Sequence, residues 1–316
     1  MPLPGAGNTV ERHRRLMEVG RENLSLARLA EAHWDAIAIL AEAGREPGSS
    51  LVYGVWASEK PGQYLTLDST DGQKGERFEL HGSKMFCTGA SIVDRALVTV
   101  SQPHSRLVEI DLRANCDSIV YESSEWKTPA FAETNTVTVT FKGLRVSSDD
   151  LIEESQWYLQ RPGFWHGALG PAACWAGGAQ GLLDYAISQT RHDPHTLAHL
   201  GAMHASIWAL AAYLDVAGHE IDSMRDDYEL AHRRALTVRH LIEQACTEVL
   251  RRLPRAYGPH PLAMNEEVLR RYLELDLYLR QSHAERDLES LGAEIQRSAG
   301  QQIAEGRAET PGPQCG

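Results

Sequence analysis

Residues 80–90 read LHGSKMFCTGA. A glycine, a lysine, an aromatic, a thiol and a hydroxyl stand together between two apolar runs. Such a stretch either closes an ordinary β-hairpin or holds the edge of a flat cofactor. A flat, electron-accepting ring is well held by an aromatic face on one side and fixed donors at its edge. Other residue types with chemical potential are spread more thinly. HDPHTLAH supplies His192, His195 and His199, the last two at i, i+4. Zinc would need a third ligand and an outer ring of hydrogen bonds, and the chain has no HExxH, so no metal site is expected. No glycine fingerprint of a nicotinamide-binding unit is present. Towards the C-terminus, His283, Asp287 and Glu294 share one helical face.

Three stretches must position these groups. Residues 9–44 carry Leu26, Leu29, Ala30, His33, Ile37 and Leu40 at spacings of three and four, which predicts one long helix or a bent pair. Gly44 and Pro47 mark its end. Residues 50–150 break into short β-rich runs separated by Gly, Pro, Asp or Ser, the pattern of a β-sandwich or barrel. Within them TNTVTVTF alternates Val137, Val139 and Phe141 against Thr136, Thr138 and Thr140, a half-buried strand with one polar face. Residues 162–303 are helical again. Leu197, Leu200, Met203, Ile207, Leu210, Leu214, Ala217 and Ile221 form a long apolar stripe suited to an antiparallel bundle. Ala176, Gly177, Gly178, Ala179 and Gly181 would admit a neighbouring backbone. Further helices are expected over 228–253 and 265–303, with LPRAYGPHPL breaking the first. RHRRL and RRALTVRH read as solvated helix faces. The expected organisation is an N-terminal helical segment (1–48), a middle β-domain (49–152), a helical bundle (153–303) and a disordered tail (304–316).

Composition narrows the classes. The 316 residues contain 42% hydrophobic residues and a formal net charge of −12, against non-specific nucleic-acid or anionic-membrane binding. Five widely spaced cysteines without a CxxC read as reduced thiols of a cytoplasmic protein. The N-terminus has no apolar signal core, and no run reaches the roughly 18 apolar residues of a spanning helix.

Five stretches, in order, resemble the acyl-CoA dehydrogenase family over about residues 20–300. GVWASEKPG (54–62) is similar to the family's opening strand. FELHGSKMFCTGA resembles its hairpin with lysine, aromatic and threonine. VTFKGLRVSSDDLI (139–152) matches the strand leaving the β-domain. PAACWAGGAQGLLDYAISQTR resembles the first bundle helix, and RQSHAERDLESLGAEI (280–295) the Arg-Asp helix. The family's Arg-x-Phe-Gly is replaced by RHDPHTLAHLG, and its Gln-x-x-Gly-Gly loop by LPRAYGPH.

The resemblance implies an α+β fold: a shortened N-terminal helical segment, a central β-barrel or sandwich, and a C-terminal antiparallel bundle. It implies an FAD cofactor, with Phe86 against the flavin ring, Thr88 and Ser58 at its polar edge, and Arg191 and Arg255 for the pyrophosphate. It implies α,β-dehydrogenation of a CoA thioester or related acyl compound, with Glu294 as the carboxylate that takes the α-proton. A homodimer or homotetramer is expected, or a heteromer with a full-length homologue. Two alternatives stand beside this: a non-catalytic or half-catalytic subunit, and a reduced-flavin monooxygenase of the same fold using a histidine near the Arg-Asp helix.

Overall fold

The structure, a computed structural model, describes residues 1–70, 76–123 and 125–308. The first helical stretch is a bent pair, α1 (Thr9–Glu22) and α2 (Leu24–Glu42). Asn23 makes the joint. Its extended backbone interrupts the helix, and its side chain accepts from the Leu26 amide, capping α2.

The described residues then form eight strands: β1 (Tyr53–Trp56), β2 (Thr66–Ser69), β3 (Arg77–Cys87), β4 (Arg95–Val100), β5 (Arg106–Asp111), β6 (Ile119–Glu122), β7 (Val137–Ser147) and β8 (Leu151–Ile152). They pair in two sheets, ordered β1-β4-β5-β8 and β2-β3-β7-β6. Only β1 and β4 run parallel. Inward residues of both sheets, among them Val98, Val108, Leu80, Val139 and Phe141, make one core. Leu97 and Leu107, one position out of phase, point to the opposite face. There they meet Ala36, Ile39 and Leu40 of α2. A strand buried on both faces reads as a continuous apolar run, which is why ALVTV lacks alternation.

The remaining helices are α3 (Trp157–Gln160), α4 (Pro162–Gly167), α5 (Leu169–Ser188), α6 (Pro194–Ser223), α7 (Tyr228–Tyr257), α8 (His260–Met264), α9 (Glu266–Leu279) and α10 (Glu285–Ala308). Two boundaries differ from expectation. α7 continues through Pro254 and stops at Gly258, whose φ of +69° suits a residue without a Cβ. The helix expected over 265–303 is broken after Leu279, with Ala284 left-handed just before α10. The expected disordered tail overlaps α10, which runs to Ala308; residues 309–316 lie outside the described residues.

Leu24 and Ala27 of α2 belong to the bundle core with Trp175, Met203 and Leu210, whereas Ile39 and Leu40 belong to the sheet interface. One helix therefore fixes the bundle against the β-domain, and the space between them takes its shape from α2. Among the described residues one helix, α6, is long and apolar enough to cross a membrane by length and composition, and it packs on α1, α5 and α7.

Candidate active site

Where α2, the α4–α5 junction, α7 and α9 face the ends of β1 and β3, they enclose a cleft of about 570 Å³. Its β-side wall carries Ser58, Phe86 and Thr88. The register between β3 and β7 slips by one residue between Lys84 and Cys87, so β3 carries a bulge there. Phe86 sits on that bulge at φ +58°. The bulge turns its ring out of the ladder, where it stands half-exposed and edge-on to Trp126, centroids 6.3 Å apart. Bulges of this kind re-aim a side chain, and a left-handed aromatic costs about 1–3 kcal/mol that the rest of the fold must offset.

Thr88 follows at the end of β3. Its carbonyl accepts from Trp56 Nε1 at 3.0 Å, which ties it to β1. Its hydroxyl oxygen accepts from Arg28 Nε and from Thr136 Oγ1, each at 3.1 Å. Thr136, just before β7, and Thr138, within it, are buried, so this part of the strand's polar side does not meet solvent. It backs the cleft wall: Thr136 supports Thr88, and Thr138 donates to Glu125 at 2.6 Å.

The helical side is unusually charged for a buried place. Arg28, Glu31, Asp35, Arg161 and Arg239 all line it. Arg28 lies with its guanidinium carbon 4.9 Å from the Phe131 ring centre and 5.3 Å from that of Tyr278. Arg239 stacks on Trp175 and donates to the carbonyls of Ala168 and Gln281. Arg161 pairs with Glu42. Burial, reinforced by the neighbouring Asp35, pushes the Glu31 carboxyl up to about 8 against the pull of Arg12, Arg239 and Arg28. Burial raises Asp35 as well, opposed by Arg161 and Arg12.

The structure brings together three of the six site residues expected from sequence: Ser58, Phe86 and Thr88. Glu294 is not brought to the cleft. It is buried at the α7–α10 contact, where His232 Nδ1 lies 2.6 Å and Arg233 3.1 Å from its carboxylate. Arg191 and Arg255 also lie outside the cleft, exposed at one end of the bundle. Arg191 pairs with Asp193 at 2.6 Å, and the Arg255 carbonyl lies 3.3 Å from His195 Nε2. His283 lines the cleft beside Gln281.

Two sequence expectations are corrected. RHRRL and RRALTVRH are not uniformly wet: Arg12, His13, Arg234 and Arg239 are buried, because α1 and α7 pack on more than one side. Sequence reasoning also missed Arg28, Glu31 and Asp35. One signal was available: two like charges a helical turn apart inside an otherwise apolar helix, an arrangement that costs stability unless something uses it. His195 and His199 contact edge-to-face, and among the described residues no group of three metal-ligating side chains occurs.

No protein-family model matches the chain, and no curated protein matches it by sequence. Solved structures do. Dibenzothiophene monooxygenase (TdsC) from Paenibacillus sp. A11-2 is 17% identical, with 90% of this chain and 82% of that chain covered at a TM-score of 0.76. Butyryl-CoA dehydrogenase from Megasphaera elsdenii is 14% identical, covering 89% of this chain and 80% of that one at 0.75. Nitrososynthase from Micromonospora carbonacea var. africana is 14% identical, covering 93% and 82% at 0.75. The chain therefore has the acyl-CoA dehydrogenase-like fold.

Proposed function

We propose that this protein is a flavin-dependent oxidoreductase whose active site is the cleft between the β-domain and the bundle. One observation carries the reading: Ser58, Phe86 and Thr88, from two separate β segments, line one cavity with a half-exposed aromatic ring at its wall. These residues fit a flavin. The bulge presents the Phe86 ring to one face of a flat partner, and the hydroxyls of Thr88 and Ser58 suit its polar edge. When bound, the flavin supplies the two-electron acceptor for a hydride. Arg28 and Thr136 hold the Thr88 oxygen in place, so that the edge contact is formed before any ligand arrives.

The finer reading is α,β-dehydrogenation of a CoA thioester or a related acyl compound, with FAD. That reaction asks a carboxylate to take a proton beside the ring. Glu294 is engaged by His232 and Arg233, so Glu31 and Asp35 are the carboxylates lining the cleft. Their presence leaves little apolar depth, which favours a short, polar substrate over a long acyl chain. Arg191 and Arg255 suit the FAD pyrophosphate of a second copy in a homodimer or larger assembly. A reduced-flavin monooxygenase is the second reading. His283 at the cleft favours it, as does the similarity to TdsC, which has been solved with FMN and indole.

An absorption spectrum of the purified protein, with FAD or FMN added and then passed through gel filtration, tests the proposal. Retained flavin peaks are expected, weakened at least tenfold in affinity by Phe86→Ala. Bleaching by short acyl-CoAs would support dehydrogenation. Oxygen consumption only with supplied reduced flavin would support the second reading. A protein that stays colourless with both flavins would overturn the proposal and point to a non-catalytic subunit.

A further inference from the structure

Arg28 is only 9% exposed, yet it forms no ion pair with a described residue. Its one hydrogen bond within that set runs from Nε to Thr88 Oγ1 at 3.1 Å. Nη1 and Nη2 are thus without partners there, and neither is sealed inside protein. Arg28 lines the cleft, so both nitrogens open onto it. The buried rings of Phe131 and Tyr278 lie against the guanidinium and, with the Nε bond, limit its movement.

The other arginines of the cleft are engaged: Arg161 with Glu42, Arg280 with Asp276, and Arg239 with the carbonyls of Ala168 and Gln281. The carboxylates of α2 do not neutralise Arg28. Burial keeps Glu31 protonated at neutral pH, and Asp35 feels Arg161 and Arg12 instead. A guanidinium keeps its proton at any ordinary pH, so Arg28 is a permanent cation withdrawn from water with no counter-charge beside it. Two parallel N–H donors at the end of a fixed fork match the two oxygens of a carboxylate. A neutral carbonyl would fill the donors but leave the charge uncompensated.

We propose that Nη1 and Nη2 of Arg28 hold a carboxylate of the substrate, at the end of the cleft marked by Thr88. The inference rests on the reading of the cleft as the flavin and substrate site. Because Thr88 is assigned there to the ring edge of the flavin, the anion belongs to the substrate and not to the cofactor's phosphates. The substrate is thereby narrowed to a small carboxylic acid or an acyl compound with a free carboxylate.

Calorimetric titration with benzoate, benzamide and inorganic phosphate tests it, on the protein as purified and with added FAD. Benzoate and benzamide share one shape and differ in charge, so their comparison needs no variant. Benzoate is expected to bind at neutral pH, and benzamide and phosphate to bind at least tenfold more weakly. Arg28→Gln should weaken benzoate at least tenfold. Arg28→Lys, which keeps the charge but loses the fork, should fall between that variant and the parent. Benzamide or phosphate binding as tightly as benzoate, no benzoate binding at all, or benzoate affinity unmoved by Arg28→Gln would overturn the proposal. Flavin retention is read separately by absorption. Benzoate binding without flavin would therefore sink the flavin reading alone, and flavin binding without benzoate would sink this inference alone.

Discussion

Phe86 carries two opposed demands. Its left-handed backbone disfavours any residue but glycine, while its ring is half-exposed and gains little from the core. Phe86→Gly should therefore relieve about 1 kcal/mol of backbone cost and hold or raise the melting temperature, while flavin affinity falls at least tenfold. A matched fall in both would mean that the ring serves packing. Glu31 makes a second prediction. Its folded-state carboxyl titrates near 8, above the ordinary value of 4.5, so the native state holds a proton that the unfolded chain has released between those limits. Stability must then fall as pH rises through that window, and the loss is complete above about pH 8. Glu31→Gln should match the parent at pH 4.5 and melt higher than it at pH 8.5. His13 acts on the acid side: burial holds it down to about 4, so stability is lost as pH falls from 6.5 towards 4. That Phe86 and Thr88 fall at one place was legible in the sequence because they share one short motif, and both line the cleft. Glu31 and Asp35 were not, because the apolar stripe drawn through Leu26, Leu29 and Leu40 put them on the far side of α2. In the structure Leu26 is exposed and the inner face runs through Leu24, Ala27, Glu31 and Asp35. A helix wedged between two cores has no single wet side, and periodicity alone cannot say which polar residues face a cavity.

Small residues decide how the helices cross. The glycines of α5 were legible as a close-approach surface, and the partner is α1. A Cβ on Gly177 would lie 2.1 Å from the Met17 carbonyl, and one on Gly20 would lie 2.5 Å from that of Cys174. These obstacles are backbone atoms, which cannot rotate away. Gly177→Ala should therefore push α1 outward and cost about 1–3 kcal/mol or more in denaturant unfolding. Gly292, inside α10, is the control: nothing lies within 4 Å of a Cβ there, so Gly292→Ala should gain up to about 1 kcal/mol from helix propensity. Equal effects at the two sites would mean that α1 and α5 are not locked at this crossing. Element types over most of the chain followed from periodicity, because long amphipathic repeats leave few choices. The breaks at Asn23 and after Leu279 did not, since each is made by a single polar or left-handed residue inside an otherwise continuous pattern.

At the scale of the molecule, α6 is the element left unsatisfied. Met203, Ile207, Leu210 and Leu214 turn inward, yet the outer face also carries Leu197, Trp208 and Val216, exposed by 47%, 71% and 59%. From Leu197 to Leu214 there is no Asp, Glu, Lys or Arg. A helix apolar on every side belongs in an interior. A bilayer is a poor match, because α7, packed along α6, displays Glu243, Glu248 and Arg251 on its open side. A second copy of the chain fits better: small residues at Ala198, Gly201, Ala205 and Ala211 flank Trp208 and would let two α6 helices meet closely. The N-terminal end of α6 presents Arg191 and Arg255, which lie outside the cleft of their own chain. Two charges placed there have a use if the neighbouring copy's cofactor extends across the interface. FAD has a pyrophosphate and adenosine to reach them, and FMN has neither. If two copies pair through α6 and share the FAD tail in this way, Trp208→Glu should convert the dimer to a monomer in light scattering and lower FAD affinity, while leaving FMN affinity unchanged. A dimer that survives the substitution would move the interface away from α6. A monomer that keeps its full preference for FAD would place the cofactor's tail within a single chain.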